Sequence, residues 1–147
     1  MKIQLMEERH ERWNAVRDYA GGCGWSSGKI LAEDMENHRF TDWERVAVLL
    51  DDDKICGYCT IIKEEAIPGM PYTPFVGTLF VDEAYRGRRL GEELIAVSMK
   101  YLKSEGFERT YLITDHDNLY EKYGFQIVDR RMAPWGREEK VYMKENA

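Results

Sequence analysis

The sequence predicts an α/β (α+β) fold, a mixed sheet with helices packed against it, in one domain covering residues 1–147. Short runs rich in β-branched and aromatic residues alternate with stretches whose apolar residues recur at helical spacing. Glycine and proline fall between those runs, where turns are needed. The 147 residues are 44% hydrophobic and 33% charged, a balance that suits a globular core and not a disordered chain. No internal repeat or linker-like tract divides them.

Residues 2–6 read as a short strand. From Glu8 to about Ala20 a helix is predicted, because Trp13, Val16, Arg17 and Ala20 recur at its spacing; Gly21 and Gly22 end it. Gly24 to Gly28 is a loop carrying Trp25, with Ser26 and Ser27 as candidate caps for a second helix over about 29–38. Glu44–Leu50 and 54–63 are strands joined by the turn Asp51-Asp52-Asp53, and so form a hairpin. Pro68, Gly69, Pro71 and Pro74 make 64–75 a surface loop. A strand follows from about Val76 to Val81. The helix from about Arg89 to Ser104 carries Leu90, Leu94, Val97 and Tyr101 on one stripe and stops at Gly106. Arg109–Thr114 is the next strand and Asn118–Tyr123 a short helix ended by Gly124. Phe125–Arg131 and Glu139–Met143 are the last two strands.

No apolar run approaches the roughly 20 residues of a membrane-spanning helix, so no membrane partner is expected. The segment Met1 to Arg9 becomes charged before an apolar signal core can form, which points to the cytoplasm. At net charge −6 the chain lacks the basic field that holds nucleic acid; its sign suits a cationic partner such as a polyamine, an aminosugar or a lysine-like amine. Cys23, Cys56 and Cys59 are an odd number in a chain with no export signal, which argues against a disulfide framework. Cys56 and Cys59 have the spacing of a redox or zinc motif. They lie in a predicted strand, however, where residues three apart face opposite ways, and no second pair completes four ligands. No metal is expected.

The most informative segment runs from Leu79 to Leu94: a buried strand, a short loop and the start of a helix at about Arg89. A helix amino terminus exposes unpaired N–H groups and a partial positive charge, and so receives phosphate. Gly87 and Gly91 remove side chains where a ligand must approach the backbone. Arg86, Arg88 and Arg89 add charge that can pair with phosphate oxygens. Neither a Walker A loop nor a dinucleotide fingerprint is present. A turn whose arginines face water is the plain alternative.

Val81-Asp82-Glu83-Ala84-Tyr85-Arg86-Gly87-Arg88-Arg89-Leu90-Gly91 resembles the acetyl-CoA motif of the GNAT acyltransferases, Arg/Gln-x-x-Gly-x-Gly/Ala behind a strand. Arg86 takes its first position and Gly91 its last, while Arg89 replaces the middle glycine. Further along, Asn118-Leu119-Tyr120-Glu121-Lys122-Tyr123-Gly124-Phe125 resembles the second signature, Leu-Tyr-Glu-Lys-x-Gly-Phe. Together the two cover about residues 76–131, in the family's order and with a strand between them.

The resemblance implies a mostly antiparallel sheet of six to seven strands in which 76–81 and 109–115 splay apart around pantetheine. It implies acetyl-CoA as co-substrate and a small-molecule or peptide amine as acceptor, and it is compatible with a homodimer. On the same grounds Leu79, Phe80 and Val81 line the acyl arm, with the Leu79 N–H aimed at the thioester carbonyl, where charge develops during attack. Arg86, Gly87, Arg88, Arg89, Leu90, Gly91 and Glu92 surround the pyrophosphate, and Asn118 adds a cofactor contact. Tyr120 takes the position of the acid that protonates the leaving thiolate; with a reference pKa of about 10 its phenol is protonated at neutral pH. Packing its ring in a core is its other use.

An alkylammonium near pKa 10 must lose a proton before it attacks. Strand 76–81 carries neither carboxylate nor histidine. Asp115 and His116 are the nearest candidate bases, then Glu64 and Glu65. His116 reads equally as a polar loop histidine, and Asp117 as a helix cap. Trp25, Trp43, Tyr72 and Phe75 are candidates to line the acceptor pocket, and Glu33, Asp34, Glu36 and Asp42 to draw a cation; core and solvated helix face are the alternatives. A non-catalytic module that senses acyl-CoA is the competing function, motivated by the replaced glycine and the missing base.

Overall fold

The computed structural model describes residues 1–114 and 118–146. Lys2–Met6 forms β1. Residues 7–12 then turn instead of starting a helix: the His10 N–H donates to the Glu7 carbonyl at 2.9 Å, and the Arg12 N–H to the His10 ring at 3.0 Å. Helix α1 therefore begins at Trp13 and runs to Gly22, beyond the expected stop. Gly21 lies inside it because α2, Ser26–Glu36, passes close by; a Cβ at Gly21 would sit 3.5 Å from the Ala32 Cβ. Ser26 and Ser27 are the first residues of α2 and cap nothing. Trp13, Val16 and Ala20 of α1 and Leu31 and Met35 of α2 pack with Met6, Val46, Val48, Leu50 and Tyr58 on one face of the sheet.

Arg45–Asp51 (β2) and Lys54–Ile62 (β3) form the expected hairpin. Leu49 faces Gly57 and Leu50 faces Ile55, so Cys56 is an extra residue bulged out of β3. A bulge reverses the alternation of side chains beyond it. This corrects the expectation that the two cysteine sulfurs diverge: Cys56 and Cys59 both enter the cluster on the other face of the sheet. Burial raises both thiols, Cys59 to about 12, and both are free cysteines.

Phe75–Val81 is β4, and Leu90–Ser104 is α3. The buried stripe of α3 is Leu90, Leu94, Ile95, Ser98, Met99 and Leu102. Val97 and Tyr101 fall at its margin, where the Tyr101 hydroxyl donates to the Trp43 carbonyl at 2.8 Å. Arg109–Thr114 (β5), the short helix Leu119–Lys122 (α4), Gln126–Met132 (β6) and Glu138–Glu145 (β7) complete the chain. The seven strands lie in the order β1-β2-β3-β4-β5-β7-β6, antiparallel except for β4 with β5. Helices α1 and α2 cover one face and α3 the other, with α4 closing the second cluster through Tyr120. No helix among the described residues is long and apolar enough to cross a membrane.

The tightest backbone approach in the α1/α2 layer is at Gly28, where an added Cβ would fall 2.5 Å from the Ala20 carbonyl oxygen and 2.8 Å from the Tyr58 hydroxyl. Gly28→Ala is expected to lower the unfolding free energy by about 1–3 kcal/mol, because a packed core resists overfilling. Urea denaturation measures it; an unchanged midpoint would mean that α2 does not seat on α1 at this point.

Candidate active site

Two parallel strands that start side by side and then part leave backbone N–H and C=O groups with no strand opposite them. β4 and β5 pair at Phe75 and Tyr111, and the Tyr111 N–H donates to the Pro74 carbonyl at 3.0 Å. Beyond that point β4 keeps β3 on one side and faces an open notch on the other. Exposure follows the split: Phe75 and Val76 are buried, while Gly77 to Val81 are half-buried.

β4 is deformed within this open stretch. Tyr58 faces Phe80 and Thr60 faces Gly77, so Thr78 and Leu79 together oppose the single residue Cys59. Thr78 carries the strain, with φ at +48°. A bulge takes one residue out of the ladder and re-aims its neighbours. Here it turns Leu79 and Val81 to the α3 face and Phe80 to the α1/α2 face. Strain of this kind gathers where backbone is shaped for use.

At the far end of β4 the Asp82 carboxylate accepts from the Ala84 N–H at 3.2 Å and starts the tight turn Glu83–Tyr85. The Tyr85 hydroxyl donates to Asp51 at 2.8 Å and ties this turn to the β2–β3 hairpin. The chain then passes through two left-handed residues, Gly87 at φ +85° and Arg89 at φ +58°, before entering α3. Arg89, which stands in place of the motif's middle glycine, thus lies in the left-handed region that glycine enters most readily. No side chain caps α3, so the amides of its first turn have no side-chain partner. Gly91 stands against the Leu79 side chain, 3.4 Å from where its Cβ would be.

The three arginines divide their work. Arg86 Nε donates to the Val81 carbonyl at 2.9 Å, the group that the resemblance reserves for pantetheine, and its guanidinium lies 5.8 Å from the Phe80 ring centre. Arg88 covers the Tyr85 ring at 5.1 Å, and Arg89 is exposed with Glu92 3.9 Å away. Their charges add to the positive end of α3. Asn118, also left-handed at φ +66°, opens α4 without a side-chain capping bond.

Tyr120, in the first turn of α4, is 9% exposed and packs against Tyr123, Phe125 and Tyr142. It shares its cluster with Leu79, Leu90, Leu94 and Cys59. Burial, with the neighbouring Tyr123 and Cys59, pushes its phenol up to about 12, so it stays protonated near neutrality. Cys59 is the link, since the residue facing the bulge is also a neighbour of Tyr120.

Asp115, His116 and Asp117 lie outside the described residues. Among the described residues no three His, Cys, Asp or Glu side chains come together as metal ligands. Of the aromatic candidates, Phe75 is core and Trp43 packs on Phe107. Tyr72 lies on Tyr111 and donates to Asp129 at 2.9 Å, whereas Trp25 stacks on Phe80 with ring centres 5.8 Å apart. Glu36 pairs with Arg17, and the Asp42 carbonyl accepts from Arg45. Glu65 lies against β4 at Gly77, where a Cβ would be 3.1 Å from its Oε2. A glycine inside a strand pattern signals such a close approach, and that signal was available at Gly77.

The sequence model of the Acetyltransferase (GNAT) family matches residues 6–125. Mycothiol acetyltransferase of Corynebacterium efficiens is 30% identical over 116 residues, which are 75% of this chain and 36% of that protein. The chain therefore spans about a third of the length of that relative. The crystal structure of aminoglycoside 6'-acetyltransferase type Ii superposes with a TM-score of 0.75 at 22% identity, covering 100% of this chain and 98% of that one. An aminoglycoside 6'-N-acetyltransferase complexed with coenzyme A gives 0.73 at 18% identity, with the same coverage. At these identities the two structures bear on the fold alone.

The left-handed conformation of Arg89 carries a penalty of roughly 1–2 kcal/mol that glycine would not. Arg89→Gly is expected to raise the stability of the ligand-free protein by about 0.5–1 kcal/mol, the remainder being offset by the freer unfolded chain. Urea unfolding reads this, and a loss of stability would show that Arg89 contributes more through its contacts than its backbone gives away.

Proposed function

Since the chain belongs to the Acetyltransferase (GNAT) family, we propose that it moves an acetyl group from acetyl-coenzyme A onto an amine of a small molecule or peptide. The observation that carries this reading is one continuous arrangement: the notch between β4 and β5, the uncapped start of α3 at one end, and the Thr78–Leu79 bulge with Tyr120 at the other. The residues fit acetyl-CoA. Gly87 and Arg89 turn the chain so that consecutive amides face a diphosphate, Arg88 and Arg89 add charge, and Gly91 leaves room beside Leu79. The open edge of β4 offers backbone groups to the pantetheine amides, as an added strand would.

At the bulge, the Leu79 N–H serves as a donor toward the thioester oxygen; a fixed backbone donor stabilises the charge that gathers there during attack. Tyr120 supplies the proton to the departing sulfur. Its raised pKa keeps that proton in place through neutral and mildly alkaline pH. Arg86 bonds the Val81 carbonyl and lies over Phe80, which fixes the end of β4 and orients the loop behind it.

Tyr120→Phe is expected to reduce kcat by about 10²–10⁴-fold, the usual range for a lost general acid. The dissociation constant for acetyl-CoA should stay within about twofold, as read by calorimetry. Equal turnover in the variant would remove Tyr120 from this role. Gly91→Leu should weaken acetyl-CoA by at least about tenfold, by filling the space against Leu79. In the wild type, acetyl-CoA at about a hundredfold over its dissociation constant should add about 2.7 kcal/mol of stability in a thermal-shift series. A shift with ATP and none with acetyl-CoA would overturn the function.

A further inference from the structure

We propose that Glu65 is the base that receives the proton of the attacking amine, and that the acceptor enters from the α1/α2 face of β4, where Asp34 joins Glu65 in drawing its ammonium group. This rests on the acetyl-transfer reading above. β4 itself carries no titratable side chain, so a base beside the thioester must lean in from another element. Glu65 does so from the loop that follows β3. Its carboxylate lies flat on Gly77, with Oε2 3.1 Å and Oε1 3.2 Å from the position of a Cβ, and Gly77 is the residue immediately before the bulge. Any other residue at 77 would displace it.

The carboxylate is on the α1/α2 side, because Asp34 of α2 is the charged group that acts on it. Tyr120 is on the α3 side. Proton acceptor and proton donor therefore approach the notch from opposite faces of the sheet. Among the described residues no amide, hydroxyl or cation is bonded to the Glu65 carboxylate. A half-buried carboxylate with a second carboxylate beside it and no cation is short of a positive partner, which an ammonium would supply. Burial first, and then the Asp34 charge, push the Glu65 carboxyl up to about 7. Asp34 is itself raised, mainly by burial, while Arg39 acts in the other direction and Glu33 in the same one. Near neutral pH Glu65 is thus divided between its two forms, and as a base it holds a proton more firmly than an ordinary carboxylate.

The step balances. The amine nitrogen forms the C–N bond with the acyl carbon, and the C–S bond breaks with its electron pair going to sulfur. Glu65 takes the first proton from the bound ammonium and hands it to solvent; the second leaves the nitrogen to solvent after attack, and the sulfur takes the Tyr120 proton. Solvent then returns that second proton to the Tyr120 phenolate, restoring both groups.

Two measurements test the assignment on the full chain. In the first, thiol release from acetyl-CoA is followed with glucosamine, spermidine and trialanine as acceptors, over a pH series. Glu65→Gln should lower kcat/KM at pH 7 by about 10²-fold or more, with acetyl-CoA affinity unchanged. The deficit should shrink by about tenfold per pH unit toward the amine's own pKa, because free amine then needs no base. A merely structural Glu65 would give a deficit independent of pH. In the second, the ligand-free protein is titrated by carbon NMR of its glutamate carboxyls. A Glu65 midpoint near neutrality that falls in Asp34→Asn supports the proposal, and a midpoint in the ordinary carboxylate range overturns it whether or not any probe is acetylated. Wild type that fails to bind acetyl-CoA would sink the acetyl-transfer reading and this one with it. Turnover in Glu65→Gln equal to wild type would sink the assignment of Glu65 alone.

Discussion

A parallel strand pair that separates after its first contact governs this molecule. Past Phe75, β4 pairs with β3 along one edge, apart from the bulged Thr78 and Leu79, and the backbone groups of its other edge face the notch. Such groups need a partner, and a ligand with amide groups along an extended arm can provide one. The sheet is continuous on either side of the split, from β1 to β4 and from β5 through β7 to β6, so the notch is held between two rigid halves. It is narrow at the Phe75–Tyr111 end because those residues pair there.

The remaining parts of the site are placed by that split. The loop after β4 reaches α3 through Gly87 and Arg89, and the start of the helix comes against β4 where Gly91 meets the Leu79 side chain. The bulge at Thr78 sets which β4 side chains face α3 and which face α1 and α2. Tyr120 and Glu65 then meet the same stretch of strand from its two sides. Arg89, in place of the motif's middle glycine, enters α3 in the left-handed region, so the replacement does not keep the chain out of a conformation that glycine favours.

Much of this was legible in the sequence because it rests on local rules. Strands at 45–51, 54–62 and 109–114 follow from β-branched runs with turn residues between them, and the α3 stop at Gly106 from its placement after the helical stripe. What escaped depends on contacts across the chain. Helix α1 starts at Trp13 because the Glu7 carbonyl and the His10 ring take the amides of the preceding turn, which periodicity does not report. The extra residue at Cys56 reverses a face assignment that assumed a regular strand. In the site, the arginine- and glycine-rich loop and Tyr120 were readable from their motifs. Glu65 ranked behind Asp115 and His116 because sequence distance, not the empty side of Gly77, decided the order.

The buried thiol opposite the bulge has a kinetic meaning. Cys59 shares its buried cluster with Leu79 and Tyr120, and burial keeps its thiol protonated well above neutrality. It is therefore a poor way-station for an acyl group. Under the proposed transfer, donor and acceptor would then meet in one complex without an acyl-cysteine at this position, with intersecting and not parallel lines when one substrate is varied at fixed levels of the other.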